Sequence, residues 1–278
     1  MQKSIKRYFP IFVLPTLIAF IIAFLYPFIM GIYLSFTEFT TVKDATWVGI
    51  SNYKKIFLDQ NFLNALVFTV KFTIVSVVTI NVFGFLMAYA LTRGIKGTNL
   101  FRTVFFMPNL IGGIVLGYIW QLLLNGILAK FGVTLSFDAK YGFWGLVILM
   151  NWQLIGYMMI IYIAGLQNVS PDLIEAAKID GATKTQTLRR IIIPMVMPSL
   201  TICLFLTLTN SFKLFDQNLT AGGPGRQTSM LALDIYSTFY GRVGWEGVGQ
   251  AKAVVFFLMV AIISLTQLYL TRRKEVEN

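Results

Sequence analysis

The hydrophobic positions of this chain form long runs, and charged residues separate one run from the next. Six intervals without Asp, Glu, Lys or Arg lie between Arg7 and Glu38, Lys71 and Arg93, Arg102 and Lys130, Lys140 and Asp172, Arg190 and Lys213, and Lys252 and Arg272. Each can hold the roughly 20 apolar residues that cross a bilayer as a helix. A helix also satisfies its own backbone groups in hydrocarbon. The pattern therefore predicts an all-α membrane protein with six transmembrane helices. They cover about 11–36, 63–92, 104–125, 143–166, 196–214 and 252–271.

The composition and the distribution of basic residues predict an orientation. Hydrophobic residues make up 56% of the chain and charged residues only 13%, against about a quarter charged in soluble domains. With the N-terminus inside, the inner segments hold 13 basic and five acidic residues, and the outer segments hold nine and seven. This bias predicts that both termini are cytoplasmic. The net charge of +11 then mainly reflects the basic residues that orient the chain in the membrane. Nucleic-acid binding is disfavoured, because no basic patch lies on a soluble domain.

The ends of the chain and its chemistry suggest one membrane domain. Residues 1–25 resemble a signal peptide, but the apolar run is too long and no convincing cleavage site follows, so we predict an uncleaved first helix. Cys203 is the only cysteine, which excludes an intramolecular disulfide framework. No cluster typical of a metal, cofactor or acid–base site is recognised. We predict a single transmembrane domain over 1–278, with core helices at about 63–271.

A polar stretch, 170–194, interrupts the apolar pattern between the fourth and fifth predicted helices. Ser170 precedes a proline and can accept a hydrogen bond as a helix N-cap. Gly181 can take a positive φ and end that helix, and Thr183 with Gln186 forms a capping-box pattern that starts another. Pro194 tends to end or kink the second helix. The pattern predicts two short helices joined at a glycine, a segment called the hook below.

One side of the hook carries small residues. Leu173, Ala176 and Ala177 recur at helical spacing and predict a smooth face. Such a face can lie in a groove of another protein. The alternative is an interfacial helix on lipid headgroups, which usually needs larger apolar anchors than two alanines.

The stretch "EAAKIDGATKTQTLRRIIIP" resembles the EAA motif of the membrane subunits of binding-protein-dependent ABC importers. The matching motif positions are Glu175, Ala176, Ala177, Gly181, Ile191 and Pro194. Ile193 stands where the motif prefers leucine. The segments "WVGISNY", "LFRTVFFMPNLIGGIVLGYIWQLLLN" and "SFKLFDQNLTAGGPGRQT" are similar to the carbohydrate branch of these permeases. The resemblance covers nearly the whole chain.

The resemblance implies a fold, a set of partners and roles for the hook. It implies a type I ABC importer permease fold, with the hook as a cytoplasmic coupling helix that docks on an ATPase. Glu175 would pair with a base of the ATPase, Asp180 would lie in the same contact, and Gly181 would permit the turn. The partners would be a second permease subunit in a heterodimer, two ABC ATPase subunits that bind the ATP, and an extracytoplasmic sugar-binding protein. The chain itself would need no cofactor and would lie in a bacterial cytoplasmic membrane.

Polar and aromatic residues inside two predicted helices are candidates for a substrate path, since buried polar groups in membranes tend to be functional. The candidates are Asn151, Trp152, Gln153 and Tyr157 on the fourth helix and Thr207, Asn210 and Ser211 on the fifth. In the family, the helices that flank the EAA loop line the substrate cavity. The alternative is that these side chains bridge helices. Asn81, Gln121 and Asn125 are interpreted as packing or outer-end residues.

Two other function classes fit the sequence less well. An ion-coupled secondary transporter often places Asp, Glu or His at midmembrane, whereas this chain has no His and no acid well inside a predicted span. A membrane enzyme would need a nucleophile with an adjacent base, and no such arrangement is recognised. Transport driven by separate ATPases is therefore the favoured function. A neutral oligosaccharide is the favoured cargo, because an anionic substrate would favour a basic cavity and no clear buried base is evident; Lys213 is expected near the outer end of its helix.

Overall fold

The computed structural model describes residues 2–135, 138–222 and 227–275. Within these residues the α-helices are α1 (Gln2–Phe20), α2 (Tyr26–Leu34), α3 (Ser51–Leu58), α4 (Gln60–Leu91), α5 (Thr98–Phe106), α6 (Gly113–Leu128), α7 (Ala139–Gln167), α8 (Pro171–Ile179), α9 (Lys184–Thr187), α10 (Ile193–Met195), α11 (Met197–Phe212), α12 (Leu231–Gly241) and α13 (Glu246–Arg272). Short helical turns of π type lie at Ile21–Leu25, Leu188–Ile192 and Asn218–Gly222, and turns of 3₁₀ type at Val42–Asp44, Met107–Leu110 and Ala129–Phe131. Strands β1 (Thr37–Glu38) and β2 (Thr46–Trp47) pair antiparallel.

The described residues contain five helices long and apolar enough to cross a membrane. These are Phe9–Leu34, Gln60–Leu91, Gly113–Phe131, Ala139–Gln167 and Glu246–Arg272. A sixth span results if Lys184–Met195 and Met197–Phe212 form one span bent by 69°. The predicted fifth helix, 196–214, is thus shorter than expected. At 1.5 Å per residue, the 16 residues of α11 extend about 24 Å, less than the roughly 30 Å hydrocarbon core.

The third predicted helix, 104–125, is interrupted, and the interruption lies beside Pro108, a residue that permits a bend. The helix ends in a 3₁₀ turn at Met107–Leu110 that contains Pro108, and Ile111 has extended backbone angles (φ −82°, ψ 129°). Helix α6 begins anew at Gly113. A proline cannot donate the backbone hydrogen bond of a continuous helix, and the pair Gly112–Gly113 adds flexibility at the break.

The chain divides by its contacts into two compact units, of which the first comprises residues 1–60 and 235–257. Its centre holds a buried charge cluster. The ammonium of Lys252, 0% exposed, lies 2.8 Å from a carboxylate oxygen of Asp59, whose side chain is 7% exposed. Lys252 also donates to the Thr238 hydroxyl at 2.7 Å, and Arg242 lies 3.1 Å from the same carboxylate oxygen. Charges so buried persist only when they are paired.

The second unit comprises residues 61–234 and 258–278, and α7 contributes most to its core. Tyr162, Met158 and Met159 of α7 are fully buried, and they belong to one apolar cluster with Phe72 and Ile80 of α4. Another face of α7 exposes Trp144, Ile148 and Trp152. Apolar residues thus occur all round the helix, as expected of a helix that spans a membrane, and show no clear one-sided period.

Gly156, in the middle of α7, permits a close approach of backbone to backbone. A Cβ at this position would overlap the carbonyl of Phe105 and lie 2.8 Å from the backbone nitrogen of Phe106. The end of α5 therefore crosses α7 at a distance that only glycine allows. This contact holds the broken helix against α7, next to the cavity described below.

Candidate functional site

A polar cavity of about 520 Å³ lies beside α7 in the second unit. Its lining residues are Asn109, Met150, Gln153, Leu154, Tyr157, Asn210, Lys213, Leu214, Phe215, Asp216 and Gln217. This volume falls within the 300–1,000 Å³ typical of small-molecule sites. Seven of the lining side chains can form hydrogen bonds, so the cavity suits a polar solute better than a lipid.

Three segments bring these side chains together. Gln153 and Tyr157 are four residues apart on α7 and therefore share one face of the helix. Asn210 lies in the last turns of α11, and the chain turns back after Phe212 so that residues 213–217 enter the cavity wall. The helix break at 107–112 supplies Asn109.

A direct hydrogen bond joins two of these segments. The side-chain amide of Gln217 donates to the side-chain oxygen of Gln153 at 2.8 Å, and both residues are 8% exposed. Each amide keeps further hydrogen-bonding capacity, because an amide has two donors and an acceptor oxygen. The pair therefore fixes one wall and can still present polar atoms to a solute.

Glycines of α6 let the returning segment approach closely. A Cβ at Gly113 would lie 2.7 Å from the Cβ of Asp216, and a Cβ at Gly117 would overlap the hydroxyl of Thr220. Gly113 and Gly117, four residues apart on α6, thus both permit close contacts with the returning segment. Their contact positions Asp216 beside the cavity.

The structure brings together three of the seven predicted path residues, namely Gln153, Tyr157 and Asn210. Trp152 lies elsewhere: its side chain is 45% exposed, and its ring packs edge-on against Trp120 with 5.6 Å between the ring centroids. It is one residue from Gln153, so it points about 100° away around the helix. Trp152 therefore does not line this cavity, and its part in a substrate path stays a prediction.

The remaining predicted path residues take up other places. The side-chain amide of Asn151 donates to the Val147 carbonyl at 2.8 Å. Ser211 is buried, and its hydroxyl has no hydrogen-bond partner among the described residues. Neither residue belongs to the cavity wall.

Thr207 belongs to a hydrogen-bond network that joins three helices. The side-chain amide of Asn81 on α4 donates to the Thr207 hydroxyl at 2.9 Å, and the Tyr162 hydroxyl on α7 donates to the Asn81 oxygen at 2.7 Å. All three residues are buried. The helix-packing interpretation of Asn81 is confirmed, and the same role, rather than substrate contact, accounts for Thr207.

Sequence reasoning missed four polar residues of the cavity, namely Asn109, Lys213, Asp216 and Gln217. Lys213 was expected near the outer end of its helix, and Asn109 fell within the predicted third helix. Asp216 and Gln217 fell in the segment after the predicted fifth helix. The available signal was the polar run "KLFDQN" directly after an apolar helix. It was not decisive, because the course of the chain after Phe212 depends on packing against α6.

The hook has the predicted local structure. Helix α8 begins at Pro171, and the Asp172 amide donates to the Ser170 hydroxyl at 3.3 Å. Gly181 has a φ of +76°, the left-handed conformation that favours glycine. The capping box is complete, since the Thr183 amide donates to the Gln186 side chain at 2.7 Å and the Gln186 amide donates to the Thr183 hydroxyl at 3.3 Å. The predicted pair of short helices joined at a glycine is confirmed.

The surface of the hook differs from the predicted smooth face in one position. Glu175, Ala176 and Asp180 are exposed, whereas Ala177 is only 6% exposed. Ala177 follows Ala176 by about 100° around the helix and so turns inward. The expectation that Ala177 is part of an exposed face is therefore wrong.

A large apolar side chain that sequence reasoning passed over occupies the exposed side of the hook. Ile179 is 86% exposed, and Leu173 on the same helix is 44% exposed. Ile191 and Pro194 are partly buried in the returning helical segment. The exposed part of the hook thus combines apolar, acidic and basic groups, a composition that fits a contact with another protein.

The described residues show no group of three or more His, Cys, Asp or Glu side chains that could hold a metal ion.

Comparisons with known proteins agree on one family. The model of the binding-protein-dependent transport system inner membrane component matches residues 80–276. A probable permease protein of the starch degradation products transport system of Thermoanaerobacterium thermosulfurigenes is 46% identical, over 96% of this chain and 94% of that protein. The multiple sugar-binding transport system permease protein of Streptococcus mutans is 30% identical, over 99% of both. A crystal structure of a bacterial alginate ABC transporter, in complex with an alginate pentasaccharide-bound periplasmic protein, matches with a TM-score of 0.80 at 21% identity, over 98% of this chain and 97% of that one.

Proposed function

Because the chain belongs to the family of inner membrane components of binding-protein-dependent transport systems, we propose that it is a permease subunit of an ATP-driven sugar importer. The family and the relatives are transport permeases, so the prediction that the chain is not an enzyme is confirmed. The observation that carries the proposal is the polar cavity of about 520 Å³ beside α7, a helix long and apolar enough to span a membrane.

The chemistry of the cavity supports a neutral polyhydroxylated solute. The Gln153, Asn210 and Gln217 amides can donate to and accept from hydroxyl groups. The Tyr157 ring can stack on the apolar face of a sugar. Lys213 and Asp216 contribute one charge of each sign, so the lining favours neither anions nor cations. The names of the starch and multiple-sugar relatives support the same substrate class.

The exposed side chains of the hook and its resemblance to the EAA motif support coupling to a separate ATPase. Its exposed Glu175, Asp180 and Ile179 can contact a cytoplasmic partner. The resemblance of 175–194 to the EAA motif supports an ABC ATPase as that partner. Closing of two ATP-loaded ATPase subunits would move the hooks of two paired permeases and switch the cavity between the two sides of the membrane. The ATPases bind the nucleotide, and this chain needs no cofactor.

The remaining parts of the assembly follow from the same family. A second permease subunit would form the other half of the path, in a heterodimer. An extracytoplasmic sugar-binding protein would deliver the solute, as the alginate transporter complex supports. With the basic excess inside, both termini and the hook lie in the cytoplasm of a bacterial cell whose membrane the chain spans several times.

Charge reversal at Glu175 is expected to release the ATPase. The side chain is exposed, so we expect Glu175→Lys to leave the fold intact. The new lysine would face the basic residue of the ATPase that pairs with Glu175 and would repel it. Loss of a desolvated charge pair weakens an interface by about 30-fold or more. Co-purification from cells that express the chain with its genomic neighbours measures the effect.

The matched control is Glu38→Lys, which reverses another exposed acid outside the hook and should retain the ATPase. Retention of the ATPase by Glu175→Lys would reject the docking role of Glu175. If the unaltered chain brings no ATPase at all, the importer proposal itself fails, and sugar uptake driven by an ion gradient should be tested next.

Removing amides from the cavity is expected to weaken sugar uptake without releasing the ATPase. Gln153→Ala and Asn210→Ala each delete hydrogen-bonding groups of the lining, and the loss of a hydrogen bond to a sugar hydroxyl should raise KM about 10-fold. The measurement is ATP-driven uptake of malto-oligosaccharides into proteoliposomes that contain the complete importer. Thr209→Ala is the control, because the Thr209 hydroxyl donates to the Phe205 carbonyl of its own helix at 2.9 Å. Equal KM values in all three variants would show that the transported sugar does not bind in this cavity.

A further inference from the structure

A second cavity, of about 400 Å³, lies where two membrane-spanning helices end at the hook. Its walls come from the ends of α4 and α7, from α8 and from the segment that returns through 182–192. The lining residues are Tyr89, Thr92, Arg93, Leu166, Val169, Ile174, Lys178, Ala182, Lys184, Thr187 and Ile192. All of them belong to the second unit.

The charges of this cavity have one sign. Three of its described lining residues, Arg93, Lys178 and Lys184, are basic, and none is acidic. Neither ion pair found among the described residues includes any of these three cations. The Arg93 guanidinium is held over the Tyr89 ring, 4.2 Å from its centroid, and also donates to the Tyr89 hydroxyl. The cavity therefore has three cations available to an anion, and one of them is already oriented.

The other walls are apolar. Leu166, Val169, Ile174 and Ile192 face the cavity, and Val169 and Ile192 are themselves buried. A small soluble anion would need only the cations, and the apolar walls would remain in contact with water. A ligand with both a phosphate and a hydrocarbon part would cover both kinds of surface.

The position of the cavity agrees with such a ligand. The apolar helices α4 and α7 end at Leu91 and Gln167, so the cavity lies level with the boundary between hydrocarbon and water. Basic pockets between transmembrane helices at the cytoplasmic boundary can bind the headgroups of anionic lipids. The assignment of this boundary to the cytoplasmic side of the membrane rests on the orientation given in the proposed function.

We propose that this cavity binds the phosphate group of an anionic phospholipid and thereby braces the hook. The phosphate contacts Arg93, Lys178 and Lys184, and an acyl chain lies along the apolar wall. Because Lys178 belongs to α8 and Lys184 begins α9, the bound lipid links both arms of the hook to the end of α4. The lipid is thus a regulator of hook mobility and not a transported solute.

The test compares lipid retention in nanodiscs of phosphatidylcholine with and without phosphatidylglycerol. The importer is reconstituted with the unaltered chain or with the triple variant Arg93→Gln/Lys178→Gln/Lys184→Gln. Native mass spectrometry measures the phosphatidylglycerol retained, and hydrogen exchange measures the protection of residues 171–192. At about 1 kcal/mol per cation near an anionic lipid, loss of three cations should weaken retention on the order of 100-fold. Phosphatidylglycerol should slow exchange in the hook of the unaltered chain only.

The control variant, Lys54→Gln/Lys55→Gln/Lys130→Gln, removes three exposed lysines outside the cavity and should retain the lipid. If the triple variant does not fold, Lys178→Gln/Lys184→Gln, which changes two exposed side chains, should weaken retention about 30-fold, whereas the charge-conserving Arg93→Lys should retain most of the lipid. Equal retention by the cavity and control variants would overturn the proposal. In phosphatidylcholine nanodiscs, hook protection by soluble glycerol phosphate at the level seen with phosphatidylglycerol would identify a free phosphate ester as the ligand and reject the lipid. ATPase co-purification tests the proposed function, whereas lipid retention and hook protection test the lipid proposal. The two proposals can therefore fail independently.

Discussion

Replacement of Gly156 by alanine is expected to destabilise the protein by about 3 kcal/mol or more. A Cβ at this position would overlap the Phe105 carbonyl and lie 2.8 Å from the Phe106 nitrogen. The obstacle is backbone on both sides, so no side-chain rotation can relieve it. Helix α5 would have to move away from α7, and Phe106, whose ring packs against Tyr157 at 6.3 Å, would move with it. Sugar uptake should therefore fall together with stability.

Gly126→Ala is the matched control for this prediction. Gly126 is also a helical glycine, but nothing lies within 4 Å of its added Cβ. Alanine is about 1 kcal/mol more favourable than glycine within a helix, so this variant should be as stable as the parent or more so. Unfolding of both variants in mixed micelles of mild detergent and dodecyl sulfate measures the difference. Equal stabilities would show that α5 can shift away from α7 at little cost.

Lys252→Met is expected to lower the free energy of unfolding by about 3–5 kcal/mol. Methionine fills much of the volume of lysine but removes an ammonium that is 0% exposed and lies 2.8 Å from the Asp59 carboxylate. Arg242 still contacts that carboxylate, but its own side chain is 32% exposed. The buried carboxylate therefore loses a partner that lies fully inside the protein, and its charge is less fully compensated. Such a deficit is expensive wherever water is excluded.

Lys55→Met, at an exposed position of α3, tests whether the loss of any lysine matters. It should change the free energy of unfolding by about 0.5 kcal/mol or less. The double variant Lys252→Met/Asp59→Asn, which also removes the partner's charge, should recover part of the loss. If Lys252→Met proves as stable as Lys55→Met, the buried cluster contributes nothing to folding.

The parts of the structure that depend on near neighbours were predictable from the sequence. Ser170, Gly181 and the Thr183–Gln186 pair act over two or three residues, so the helix ends of the hook could be derived without knowledge of the rest. The long apolar runs likewise predicted the helices at 63–92, 143–166 and 252–271, and the observed helices overlap each of them.

The cavity was only partly predictable, because it depends on two departures from regular helix. The break at 107–112 and the return of the chain at 213–217 contribute Asn109, Lys213, Asp216 and Gln217, and both result from packing between distant segments. Residues of α7 were easier, since Gln153 and Tyr157 share one face. Trp152 was selected because its ring can stack on a sugar, but the helix period turns it away from this cavity.

The charge cluster of the first unit also determines when, during synthesis of the chain, this unit can fold. Asp59 and Lys252 are 193 residues apart in the chain, so at about 5–20 residues per second roughly 10–40 s of translation separate them. Arg242 also emerges late. For that interval the ribosome has delivered the acid but neither of these two cations, and the unit formed by 1–60 and 235–257 cannot close. A chain arrested in this interval therefore lacks both of these partners of Asp59, and the first unit is completed only when α13, which carries Lys252, has been made.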